Sequence, residues 1–73
     1  MTLTNRQSAY RFIAGDVAFI QRLLDKDDIT IDHAKALLAT SVLEAKGMFL
    51  SDDQVEVQTH IDRKGRISFS LPL

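Results

Sequence analysis

Apolar residues recur with a helical period over the first third of the chain. The stretch Thr4-Asn5-Arg6-Gln7 fits a capping box, in which the Thr4 hydroxyl accepts from the Gln7 amide and the Gln7 side chain returns to Thr4. After it, apolar side chains spaced 3, 4, 3 and 4 residues apart form one stripe: Tyr10, Ile13, Val17, Ile20 and Leu24. This pattern predicts a first helix over about residues 4–25.

A second apolar stripe runs beside the first and contains one carboxylate. Phe12, Phe19 and Leu23 form this stripe, so the apolar arc covers roughly half the circumference, more than the ~100° that one neighbour requires. The helix is therefore expected to have two neighbours, or one neighbour and a second subunit. Asp16 lies within the arc, and three alternatives are open for it. It is solvated at the edge of the arc, it pairs with an arginine across an interface, or it is buried and must be paired or protonated.

The acidic stretch "LLDKDDIT" separates this helix from a second one. Thr30 is a suitable N-cap, and the apolar spacing that follows predicts a helix over about residues 31–46. Gly47 is expected to be the left-handed residue that ends this helix, with Met48 contacting Leu43 as in a Schellman motif. The short link favours an antiparallel helix pair.

Near the end of the chain, strict alternation of apolar and polar residues replaces the helical period. This alternation predicts strands over about residues 55–61 and 67–73. Apolar residues must oppose apolar residues if one face is buried, so paired residue numbers must have an even sum. A three-residue loop Arg63-Lys64-Gly65 satisfies this rule, sets Ile61 opposite Ile67, and places glycine at the left-handed position of a G1 bulge.

Together these elements predict an α+β fold in a single domain, residues 1–73, with the order ααββ. The C-terminal β-hairpin should pack on an antiparallel two-helix hairpin. At 73 residues, a chain buries only about 60% of the surface that its unfolded form exposes. The absence of cysteine excludes disulfides and thiolate zinc sites as added support, so we expect the fold to be completed by homodimerisation.

Charge and hydropathy limit the classes of partner. The net charge of -1 gives no global attraction to nucleic acid or anionic lipid, and no stretch is apolar enough for a membrane span. The first residues also lack a signal-peptide pattern, so we expect a soluble, uncleaved protein. The lack of cysteine is compatible with the reducing cytoplasm, which is the expected location.

No set of residues suggests catalysis, a metal or another cofactor. There is no cysteine nucleophile, and the two histidines, His33 and His60, belong to different elements. Ser68 is expected opposite His60, but a flat two-stranded surface supplies neither an orienting group nor an oxyanion hole. The acidic run beginning at Asp25 lacks the ligand spacing of an EF-hand loop. We therefore expect a protein that is not an enzyme.

Two kinds of binding function remain. The first is a non-enzymatic protein–protein interaction module, a small regulator, inhibitor or adaptor, that binds through the apolar helix surface or a free hairpin edge. Its predicted partner or dimer interface consists of Phe12, Asp16, Phe19, Leu23 and Leu50. The alternative is a nucleic-acid-binding regulator that uses the cations of the hairpin tip: Arg63, Lys64 and Arg66. The negative net charge and the neighbouring Asp62 disfavour this alternative.

Overall fold

The computed structural model describes residues 2–51 and 55–72 and has the predicted order ααββ. Helix α1 spans Asn5–Asp25, and helix α2 spans Ile31–Phe49. Strand β1 spans Gln58–Ile61, and strand β2 spans Ile67–Ser70. The strands form one antiparallel two-stranded sheet, which confirms the α+β fold class.

Both predicted helix N-caps are confirmed. At α1 the Thr4 N–H donates to Gln7 Oε1 at 2.9 Å, and the Gln7 N–H donates to Thr4 Oγ1 at 3.1 Å, so the capping box is complete. At α2 the His33 N–H donates to Thr30 Oγ1 at 3.1 Å. The Thr4 and Thr30 hydroxyls thus each accept from a backbone N–H that has no partner within its helix.

The predicted end of α2 at Lys46 is wrong. The helix continues through Gly47 to Phe49, and the Leu50 N–H still donates to the Lys46 carbonyl at 2.9 Å. In a continuous helix, residues five apart point about 140° away from each other, so the predicted contact between Leu43 and Met48 has no basis. The additional turn is stabilised by packing, because it brings Phe49 and Leu50 onto the core.

The Schellman ending occurs at α1 instead. Asp27 has a φ of 58°, its N–H donates to the Leu24 carbonyl at 3.0 Å, and the Asp28 N–H donates to the Leu23 carbonyl at 2.9 Å. This is the bond pattern of a Schellman motif, with aspartate at the left-handed position that glycine usually occupies.

The helices pack antiparallel, since the start of α1 meets the end of α2. One buried cluster joins Ala9 and Ile13 of α1 to Ala45 and Leu50. A second joins Ile20 to Ala34 and Leu38 of α2 and to Ile61 of the hairpin. The hairpin therefore closes one side of the helix pair.

The predicted hairpin register is confirmed, with Ile61 opposite Ile67 and Thr59 opposite Phe69. Gly65 has a φ of 80°, its N–H donates to the Asp62 carbonyl at 3.0 Å, and the Asp62 N–H donates to the Arg66 carbonyl at 3.0 Å, as in a G1 bulge. The ladder is shorter than the predicted strands. Residue 73, the predicted end of the second strand, lies outside the described residues.

The molecule is a thin slab. Its Cα atoms extend 37 × 24 × 16 Å, and its accessible surface is 5323 Å². A compact folded monomer of this mass exposes about 4,500 Å², so the chain exposes about 800 Å² more than the size trend predicts. Within residues 2–51 and 55–72, the hairpin covers one side of the helix layer and no element covers the groove between the helices.

Candidate protein-interaction surface

A shallow groove of about 200 Å³ lies between α1 and α2, and no hairpin residue lines it. We call this surface the open helix face, and it is lined by Asp16, Phe19, Ile20, Leu37, Thr40, Ser41 and Glu44. The α1 residues come from the predicted second stripe and its border with the core. The surplus of apolar residues in α1 thus corresponds to a groove that no other element of the described residues covers.

Phe19 is the large apolar side chain on this face. It is 57% exposed, whereas its neighbour Ile20 is buried against α2. The ring contacts in the described part of the chain join Tyr10 to Phe69 and Phe12 to Phe49, so Phe19 has no aromatic neighbour there. A phenylalanine left in this position exposes much of the area that usually dominates interface energetics.

Asp16 joins the two helices at the floor of the groove. The buried Ser41 hydroxyl donates to Asp16 Oδ2 at 2.6 Å, and the aspartate itself is half-buried. Of the alternatives open from the sequence, pairing is the one observed, and the partner of Asp16 is a hydroxyl group instead of an arginine. With Glu44, it makes the face acidic, since no cationic residue lines the groove. A carboxylate fixed in this way is an oriented acceptor for an incoming donor.

The other predicted interface residues have different positions. Phe12 packs on the core and contacts Phe49, with ring centroids 6.1 Å apart. Leu50 is only 3% exposed and belongs to the core, so it supplies no surplus surface. Leu23 is half-buried. Of the five candidates, only Asp16 and Phe19 line the groove.

Two exposed apolar residues on α2 were missed by the sequence analysis as surface features. Leu43 is 72% exposed and Met48 is 55% exposed. The available signal was the position of Leu43 off the apolar stripe of α2, which we assigned to a contact with Met48. Leu43 is absent from the groove lining and therefore provides a useful control for Phe19.

Gln21 is a third residue that the sequence analysis missed, and it attaches the hairpin to α1. Its Nε2 donates to the Gly65 carbonyl at 2.7 Å, and its Oε1 accepts from the Ile67 N–H at 3.0 Å. One amide side chain thus pairs with the outer backbone edge of β2 as a neighbouring strand would. Nothing in the local sequence distinguishes Gln21 from a solvated polar residue.

The basic hairpin tip lies among carboxylates. Arg63 and Lys64 border the α1–α2 link beside Asp27 and Asp28. Such neighbours oppose the approach of phosphate. The arrangement gives no support to the nucleic-acid alternative.

The Asp62 side chain binds the backbone of the turn at this tip. Its Oδ1 accepts from the backbone N–H groups of Arg66 and Lys64, both at 2.9 Å. The hydrogen bond from Arg66 is the main cause that holds the pKa of Asp62 below its ordinary value of 3.8, and the bond from Lys64 contributes in the same direction. Asp62 therefore acts as an acceptor for the turn.

The histidines remain separate. His33 is exposed in α2, and His60 is exposed in β1 opposite Ser68, as predicted. Over residues 2–51 and 55–72, no three His, Cys, Asp or Glu side chains are grouped to hold a metal ion. In the same ranges, no helix combines the length and apolar character needed to cross a membrane.

No protein-family profile, curated protein or solved structure matches this chain. The function of this chain is therefore inferred from the geometry of its own residues.

Proposed function

We propose that this protein is a non-enzymatic protein–protein interaction module, a small regulator, inhibitor or adaptor, which acts as a homodimer through the open helix face. The observation that carries the proposal is the 57% exposure of Phe19 beside a groove between the helices. Large exposed aromatic side chains next to grooves are typical of the central contacts of protein interfaces.

The exposed area supports the same proposal. The chain exposes about 800 Å² more than a compact monomer of its mass, and the open helix face contributes to this exposed surface. A homodimer would cover the open side of the helix layer and add core to a domain too small to have much of its own. This is the kind of support that a chain without cysteine can obtain.

The stripe on α1 suits a two-fold contact. Asp16 and Phe19, the two stripe residues that line the groove, are three residues apart, and Phe12 and Leu23 each lie four residues beyond them, so the spacing of the stripe is symmetric about its midpoint. Antiparallel packing of α1 on its copy places Phe19 of one protomer opposite Asp16 of the other, at the partner's groove. Each contact then occurs twice.

An arginine is available to balance the acidic groove in this arrangement. Arg22 is exposed and follows Phe19 by one helical turn. When Phe19 enters the partner's groove, Arg22 flanks the same contact and can pair with Asp16 or Glu44 of the other protomer. The pairing offsets the repulsion between carboxylates that a two-fold axis brings together.

Sedimentation equilibrium on the wild type, Phe19→Asp and Leu43→Asp tests the proposal. The wild type should be a dimer at high micromolar concentration, and Phe19→Asp should weaken it at least about thirtyfold, as expected for loss of a central contact. Leu43→Asp introduces the same charge at another exposed apolar site and should leave the dimer intact. Circular dichroism checks that both variants remain folded.

Two results would contradict the proposal. One is a strictly monomeric wild type at high micromolar concentration. The other is equal loss of dimer in both variants, which would show that added charge, and not the open helix face, controls association.

A further inference from the structure

The outer backbone edge of β1 is unpaired. In an antiparallel ladder, successive residues point their N–H and C=O groups alternately toward and away from the partner strand. Asp62 bonds to Arg66 across the hairpin, so Ile61 and Thr59 direct their backbone groups outward. No hydrogen bond reaches these groups from any other residue in the described part of the chain.

The two edges of the hairpin differ in their protection. The Gln21 side chain occupies the edge of β2 at Ile67, and Pro72 follows that strand. By contrast, β1 reads Gln-Thr-His-Ile, with no proline, lysine or carboxylate to discourage pairing. Short length, four residues, is the protection that β1 itself has, and no side chain blocks its edge as Gln21 blocks that of β2, so the β1 edge is the position for an added strand.

A groove accompanies the unpaired edge. It has a volume of about 280 Å³ and is lined by Lys35, Leu38, Ala39, Thr59, His60 and Ile61. This volume is slightly below the usual range of small-molecule pockets, about 300–1,000 Å³. A groove between a strand edge and a helix instead suits one or two side chains of an extended peptide.

The charge of the groove indicates which peptide fits. Lys35 is exposed beside it, His60 is the other ionisable side chain among the described lining residues, and no carboxylate of residues 2–51 or 55–72 lines it. Ala39 is exposed and supplies apolar surface, whereas Leu38 is only 2% exposed and belongs to the core beneath it. The chemistry complementary to this groove is an apolar side chain next to an acidic one.

We propose that the β1 edge binds an extended segment of a partner protein as a third strand. The segment's backbone pairs with Thr59 and Ile61, an apolar side chain packs on Ala39, and an acidic side chain pairs with Lys35. This site goes beyond the proposed dimer, because its lining shares no residue with the open helix face. Pairing of β1 with its own copy is less suitable, since the strand Gln-Thr-His-Ile has no carboxylate to offer Lys35.

An NMR titration of ¹⁵N-labelled protein tests the site with two acetylated and amidated probe peptides, Ser-Val-Glu-Val-Glu-Val-Ser and its counterpart with lysine in place of glutamate. The glutamate peptide should shift the Thr59 and Ile61 amides saturably and slow their exchange. It should bind at least about tenfold more tightly than the lysine peptide.

Variants separate this site from general charge effects and from the dimer. Lys35→Glu should reverse the preference between the two peptides, whereas Lys26→Glu, an exposed lysine in the α1–α2 link, should leave it unchanged. Phe19→Asp should retain peptide binding, since the open helix face is elsewhere.

Four results would overturn the proposal: no β1 shifts with either peptide up to millimolar concentration, shifts confined to the open helix face, a preference unaffected by Lys35→Glu, or β1 amides that change with protein concentration alone. The last result would assign the edge to a second copy.

Discussion

The same substitution, glycine to alanine, should have opposite effects at Gly65 and Gly47. Gly65 has a φ of 80°, a conformation that side chains with a Cβ disfavour. Gly47 lies within α2 with helical geometry. A Cβ at Gly65 would meet only Leu24 Cδ1, at 4.0 Å, and a Cβ at Gly47 would meet nothing within 4 Å. Steric clash is therefore absent at both positions, and backbone conformation alone determines the sign.

The expected magnitudes follow from the backbone. Gly65→Ala must adopt the left-handed conformation and should lower the free energy of unfolding by about 1–2 kcal/mol. Gly47→Ala removes the entropic cost of glycine in a helix and should raise the free energy of unfolding by about 0.5–1 kcal/mol. In a domain of this size, each kcal/mol shifts the melting temperature by about 4–8 °C. The two variants should therefore differ clearly.

Thermal and urea unfolding followed by circular dichroism at one fixed protein concentration measures the difference. Fixed concentration matters because dimerisation makes apparent stability depend on it. Gly65→Asn should be milder than Gly65→Ala, since asparagine tolerates the left-handed region. A destabilising Gly47→Ala would refute the reasoning about α2, because it would indicate that Gly47 is left-handed and ends the helix. An unchanged melting temperature in Gly65→Ala would refute the turn geometry.

Two further predictions concern the hairpin's attachment and its tip. Gln21→Ala should destabilise by about 1–3 kcal/mol, because part-buried backbone groups of Gly65 and Ile67 lose their partner, and hydrogen exchange at the Ile67 amide should accelerate. Asp62 has a lowered pKa, so its charged form stabilises the fold above its ordinary value of 3.8, and this stability is lost as the pH falls through the folded-state pKa. The melting temperature of Asp62→Asn should therefore lie below that of the wild type at neutral pH and approach it on acidification. A difference in melting temperature that stays constant with pH would contradict this.

The features that were predictable from the sequence depend on neighbouring residues. The capping box at Thr4, the cap at Thr30 and the left-handed Gly65 each require only a few adjacent positions. The hairpin register was also predictable, since alternation fixes which residues share a face and one slip would reverse all of them.

The features that were not predictable depend on contacts across the fold. Gly47 is suited to end a helix, but burial of Leu50 stabilises one more turn. Asp27 adopts the left-handed conformation without a glycine to indicate it. Gln21 resembles any polar helix residue until β2 is placed beside it. For the candidate interface, the sequence indicated the stripe on α1, but only the fold shows that Leu50 is buried while Phe19 is exposed.

The two proposed surfaces have a joint consequence for binding strength. A groove of about 280 Å³ and one short strand edge provide little binding energy for a single peptide. A dimer formed through the open helix face carries two such edges, since the surfaces share no lining residue. A partner with two acidic-apolar segments then binds its second segment intramolecularly, and its overall affinity can exceed that of one segment by about 10²–10⁴ without any new contact. Dimerisation would in this way turn a weak strand-binding edge into a selective one, because a partner with a single segment gains nothing from it.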